Sequence, residues 1–108
     1  MSSFRSDDRL LLTGAQRRRL RGLAQRLDPV LKVGHAGITD ALVAALDEAL
    51  TLHELVKVRF TAHKEEKGEL APLLATRTAS LFVTRVGHVA VYYRPPDDPS
   101  QRKVELGD

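Results

Sequence analysis

The chain has 108 residues, 43% of them hydrophobic and 29% charged, with no cysteine and no tryptophan. That length holds one modest core and leaves no room for a second domain, and the missing cysteines exclude a disulfide framework, a thiol nucleophile and a thiolate metal site. The formal net charge of +3 hides a segregation: residues 1–27 hold seven arginines and two aspartates, residues 40–55 hold four acids and neither lysine nor arginine, and Lys57, Arg59 and Lys64 follow.

Residues 1–11 read as a flexible N-terminal arm, too polar for a secretory h-region, and no apolar run is long enough to span a bilayer. A cytoplasmic protein is expected. Thr13 and Gln16 have capping-box spacing, so a helix is expected from Thr13 with Leu20, Leu23, Ala24 and Leu27 as its apolar stripe. Arg18, Arg21 and Gln25 fall on the opposite side. Asp28-Pro29 stops that helix, since the residue before a proline is pushed away from helical angles. Residues 29–33 then read as a short strand and Gly34-His35-Ala36-Gly37 as a turn. Thr39 is placed to cap a second helix, with Asp40 in its first turn and Leu42, Val43, Leu46, Ala49 and Leu50 buried.

Residues 55–62 alternate, with Val56, Val58, Phe60 and Ala62 on one side and Lys57, Arg59 and Thr61 on the other, which predicts a strand half buried and half wet. Leu70, Leu73, Leu74 and Arg77 have helical spacing interrupted by Gly68 and Pro72. A proline deep in a helix costs about 3 kcal/mol, so Pro72 is expected in the first turn of a short helix. Residues 80–86 and 89–94 form a hairpin about Gly87-His88. Residues 97–108 are a polar tail in which Val104 and Leu106 alternate and could dock as a last strand. The order α-β-α-β-α-β-β in residues 12–96 implies a single small α/β domain, a mixed four-stranded sheet with packed helices.

The chemistry centres on a strand, then Gly34-x-x-Gly37, then a helix start. Two glycines let a ligand approach the backbone and permit positive φ. A helix start presents N–H groups and a positive dipole end, and GXXG loops in KH domains clamp backbone nucleotides in this way. No lysine follows Gly37 as a Walker loop requires, and the third glycine of a dinucleotide fingerprint is missing. Lys32 precedes the loop, His35 and Ala36 lie in it, Lys57 and Arg59 share one side of the neighbouring strand, and Arg18 and Arg21 precede both. Converging there, they make a field that holds phosphates without reading sequence. Of Tyr92 and Tyr93, which point to opposite faces, one is a candidate to stack on a base near Arg94. The four histidines lack metal-ligand spacing, Ser80 has no nucleophile-elbow setting, and no general acid/base pair can be named. No catalytic site, cofactor, metal or small-molecule substrate is expected.

Leu20-Arg21-Gly22-Leu23-Ala24, Val33-Gly34-His35-Ala36-Gly37-Ile38-Thr39, His53-Glu54-Leu55-Val56-Lys57-Val58, Val86-Gly87 and Tyr92-Tyr93-Arg94-Pro95 resemble, in order and spacing, the YhbY family of CRM (chloroplast RNA splicing and ribosome maturation) domain proteins. The resemblance implies a fold similar to the C-terminal domain of bacterial translation initiation factor three. It also implies binding of ribosomal RNA in precursors of the large (50S) subunit during ribosome biogenesis, with the RNA-binding loop at Gly34 to Gly37 and a basic surface at Arg21, Lys32 and Lys57. The expectation is a monomeric, non-enzymatic RNA-binding protein using Gly34, His35, Ala36, Gly37, Arg18, Arg21, Lys32, Lys57, Arg59 and Arg94. The alternative is a protein-interaction adaptor whose acidic second helix (Asp40, Asp47, Glu48, Glu54) meets a basic partner.

Overall fold

The computed structural model describes residues 12–104 and 106, and the predicted arm lies outside them. In chain order the elements are α1 (Gly14–Ala24), β1 (Leu31–Val33), α2 (Asp40–His53), β2 (Leu55–Phe60), α3 (Lys67–Arg77), β3 (Leu81–Val86) and β4 (Val89–Tyr93), followed by a 3-10 turn at Pro99–Gln101. This is the α-β-α-β-α-β-β order read from the sequence. The strands lie in the order β1-β2-β4-β3, with β1 parallel to β2 and the other two pairs antiparallel. Parallel neighbours need a long crossover, which α2 supplies.

Because strand side chains alternate between faces, the sheet has two cores. Val33, Val56, Val58, Phe60, Ala90 and Tyr92 meet Leu46 and Leu50 of α2 and Ala71, Leu74 and Ala75 of α3. On the other face Leu55, Val91, Tyr93 and Val83 meet Leu20 and Ala24 of α1 and Leu106 of the tail. The second face is therefore not simply wet. At the Leu55↔Tyr93 end of the β2–β4 ladder both residues are buried, whereas at the other end Arg59 pairs with Val89 and is exposed. α1 covers half of that face and leaves the rest open. Tyr92 and Tyr93 are both fully buried, so neither is available to stack on a base; burial raises the Tyr92 phenol pKa well above its usual range.

The capping box at Thr13 forms in full: the Gln16 N–H donates to Thr13 Oγ1 and the Thr13 N–H to Gln16 Oε1, both at 3.0 Å. α1 nevertheless ends at Ala24 and leaves Leu27 exposed. The chain tightens through 3-10-type bonds, Arg26 N–H to Leu23 O and Leu27 N–H to Ala24 O. The Lys57 ammonium then donates to the carbonyls of Ala24 and Leu27 at 3.0 and 2.9 Å, closing the helix end with a cation. Arg17 reaches from α1 to the carbonyls of Phe82 and Val83. That is the point where a register shift in β3 leaves Val83 as an extra residue on the α1 side.

Pro72 sits in the second turn of α3 and not in the first. Its missing N–H and ring are tolerated because tertiary burial outweighs them: Leu74 is fully buried, worth roughly 1.5–3 kcal/mol, and the Tyr92 hydroxyl donates to Ala71 O at 2.8 Å. The hairpin turns at Gly87, whose φ of +59° is positive while His88's is not, the pattern of a type II′ turn. Among its described residues the tail docks, but not as a strand. Glu54, buried and holding φ at +66° as the C-cap of α2, accepts the Lys103 and Val104 backbone N–H groups at 2.5 and 3.1 Å. Val104 and Leu106 thereby settle on the second core.

Candidate nucleic-acid interface

The glycine loop lies at the end of the sheet where β1 and β2 both finish. Its base is pinned by one acceptor: the Val33 carbonyl takes the N–H groups of Thr61 and Ala62 and the Thr61 hydroxyl. Gly34 to Gly37 then form a turn closed by Gly37 N–H to Gly34 O at 3.0 Å, with His35 and Ala36 exposed at its tip. Gly37 holds φ at +75°, a conformation a side chain strains. Gly34 is different. It has no positive φ, and a Cβ there would meet nothing within 4 Å, so the free protein gives no reason for glycine at that position.

One residue overlooked in the sequence braces this turn. His63, three residues past the end of β2 and itself at φ +55°, places Nε2 2.9 Å from the His35 carbonyl. A carbonyl only accepts, so that nitrogen carries the proton. The His35 carbonyl raises the His63 pKa; partial desolvation opposes it, and Glu66 reinforces it, with its carboxylate 3.6 Å from Nδ1. At the same end of the sheet, where the Phe60 N–H donates to the His88 carbonyl, a second imidazole lies near three cations. The His88 pKa is lowered first by desolvation and then by the charges of Lys67, Lys64 and Arg85.

The N-terminus of α2 is already served from within the chain. Thr39 Oγ1 accepts the Leu42 N–H at 3.0 Å, and Asp40 in the first turn pairs with Arg77 at 2.9 Å. The attraction for an anion therefore falls to the side chains beside the loop. Parallel register sets Lys32 beside Arg59, which places both on the half of the sheet face that α1 leaves open. Arg59 pairs in turn with Val89. Val89 lines a shallow hollow of about 360 Å³ with Arg21, Gln25, Lys57, Thr84 and Val86, and no carboxylate lines it. Arg21, Lys32, Lys57 and Arg59 are thus brought to one surface.

Arg18 is exposed on α1 one turn before Arg21, on the helical stripe that continues to Gln25, and does not itself line the hollow. One expected residue is placed elsewhere. Arg94 is an internal clamp. Its guanidinium donates to Asp47 Oδ1 (2.6 Å), Asp47 O (2.9 Å), Thr51 Oγ1 (2.9 Å) and Thr78 O (2.7 Å), and its side chain is only 14% exposed. Among the described residues no group of three or more His, Asp or Glu is placed to hold a metal ion, and no helix is long and apolar enough to cross a membrane.

The element order and the β1-β2-β4-β3 sheet, with Lys32, Arg59, Arg21 and Lys57 on one of its faces, define a small α/β domain with basic side chains on one side of its sheet. Residues 12–94 match the CRS1/YhbY (CRM) domain model, and the chain belongs to that family. It is 35% identical over 88 residues, 81% of this chain and 89% of the relative, to a Haemophilus influenzae protein named as an RNA-binding protein. It is 33% identical over 97 residues, 89% of this chain and 99% of the relative, to the Bacillus subtilis protein that carries the name Probable RNA-binding protein YqeI. A Staphylococcus aureus protein whose solution structure describes it as a candidate RNA-binding protein superimposes with a TM-score of 0.75 at 35% identity, over 90% of this chain and all of that one.

Proposed function

We propose that this chain is a non-enzymatic RNA-binding protein that engages precursor ribosomal RNA during assembly of the large ribosomal subunit. The glycine loop receives the sugar–phosphate backbone, and Arg21, Lys32 and Arg59 hold phosphates beside it, with Lys57 adding its charge while it caps α1. The observation that carries the reading is the register that sets Lys32 against Arg59, next to a hollow lined by Arg21 and Lys57 and free of carboxylates. The names borne by the relatives in Haemophilus influenzae and Bacillus subtilis agree with it, and the family resemblance supplies the ribosomal target. The same reading makes the protein a cytoplasmic monomer. The adaptor alternative is the weaker reading, because Asp47 is engaged by Arg94 and Glu54 is buried against the tail, which leaves Asp40 and Glu48 as the exposed acids of that helix free of any backbone clamp.

Gly34 provides the test. A Cβ there meets open space in the free protein, so Gly34→Val changes folding stability by no more than about 0.5 kcal/mol. It should nevertheless weaken binding to structured ribosomal RNA fragments severalfold by blocking backbone approach. A folded Gly34→Val protein with undiminished RNA affinity removes the loop from the site.

A further inference from the structure

A second, larger depression also has Lys57 in its lining. Its volume is about 650 Å³, within the range of about 300–1,000 Å³ usual for small-ligand pockets. The C-terminal end of α1 and the segment before β1 form one wall through Leu23, Leu27 and Val30, and the docked tail forms another through Val104. Leu27 is 38% exposed and Val30 56% exposed, so water covers apolar walls there. The rim is basic: Arg26, Lys57 and Lys103 line it along with Arg19 and His53, against a single acid, Asp28.

Apolar walls under a cationic rim suit an occupant with a flat, weakly polar body and negative charge at its edge. A nucleotide of a single strand fits that description, its base inside and its flanking phosphates on Arg26 and Lys103. Residues 1–11 of the chain itself are a poorer match, because their two arginines and two aspartates cancel. Lys57 lines both this cleft and the hollow beside Val89, so the two are neighbours divided by its bridge to the end of α1, and a strand on the open sheet face has only that side chain to cross.

We infer that the cleft between α1, the approach to β1 and the tail is a subsite for one unstacked base of the RNA bound at the glycine loop. The inference rests on the RNA-binding reading and adds a preference that the loop alone does not give. Bases inside a duplex stay stacked and cannot enter, whereas those of a single strand can be splayed out and seated.

The experiment compares a single-stranded oligoribonucleotide with a blunt RNA duplex of equal length, using the full chain and its Val30→Glu variant. Val30 is half exposed, so the substitution puts a carboxylate in the cleft without disturbing either core. The expected result is a loss of about tenfold in single-strand affinity, the worth of one seated base, with duplex affinity changed by less than about twofold. In parallel, Val30→p-benzoylphenylalanine is photoactivated with the single strand present, and its crosslinks are expected on RNA. Equal single-strand affinity for Val30→Glu and the parent chain overturns the subsite while leaving the loop proposal standing. Crosslinks to residues 1–11 or to a second copy of the chain do the same. A parent chain that binds neither RNA overturns both.

Discussion

The imidazole of His63 does more for the glycine turn than either glycine does by contact. It fixes the His35 carbonyl from outside the loop, which leaves the tip exposed yet tethered. Its folded pKa is raised, so protonation and the tether favour each other. The resulting stabilisation is complete below the unfolded imidazole value of about 6.5 and declines as pH rises through the higher folded value. The neutral ring keeps an N–H donor, so the bond weakens rather than vanishes. The stability difference between the parent chain and His63→Ala should therefore shrink as pH is raised from mildly acidic to mildly alkaline, in denaturant titrations at each pH. Taking the difference cancels the opposite contribution of His88, whose pKa is depressed in the fold. A difference that does not change with pH would show that the ring acts without its charge. Sequence spacing pointed to Gly34 and Gly37 because both lie in one short segment. His63 is 28 positions from His35 and joins it only because β1 and β2 run parallel and end together.

Among the elements, α1 shows what periodicity reports and what it omits. The capping box and the Leu20 and Ala24 stripe were legible because they are local. The closure of its end was not, since it includes a lysine from a strand thirty or more residues away. The same long-range contact explains why β2 alternates as a half-wet strand yet buries Leu55: the covering helix is remote in sequence. Pro72 was misplaced for a related reason, its local cost being offset by packing from α2 and β4 that propensity does not contain. Lys57 consequently serves two elements at once, and Lys57→Met should lower stability by about 1–2 kcal/mol through loss of two charge-assisted bonds, partly screened at the surface. The urea midpoint should fall with an unchanged slope, because the surface exposed on unfolding is the same. A midpoint that stays put would mean that the end of α1 is held by its tightened turns alone.

At the scale of the molecule, and among the described residues, the acids of α2 and the bases of the open sheet face lie on different sides of the sheet. Asp47 holds Arg94 and Glu54 fastens the tail, so two of the four acids of α2 and its cap are engaged by the protein's own cation and backbone, while Asp40, paired with Arg77, and Glu48 stay exposed. Arg21, Lys32 and Arg59 remain exposed on the other side of the sheet. A net charge of only +3 can therefore present a distinctly positive face, which total charge conceals and charge order along the chain began to reveal. The physical consequence is counterion release: each phosphate neutralised contributes about 0.7 to the log–log dependence of affinity on salt for a single strand and about 0.9 for a duplex. If Lys32 and Arg59 each meet one phosphate, the Lys32→Gln/Arg59→Gln protein should lose about 1.4–1.8 from the magnitude of that slope. Arg94→Gln should leave the slope alone and lower the unfolding midpoint instead, because its charge is spent on Asp47. Binding isotherms across a salt series, set beside denaturation of the same proteins, separate the two roles. An unaltered slope in the double variant would take Lys32 and Arg59 out of phosphate contact, however close the sheet has set them.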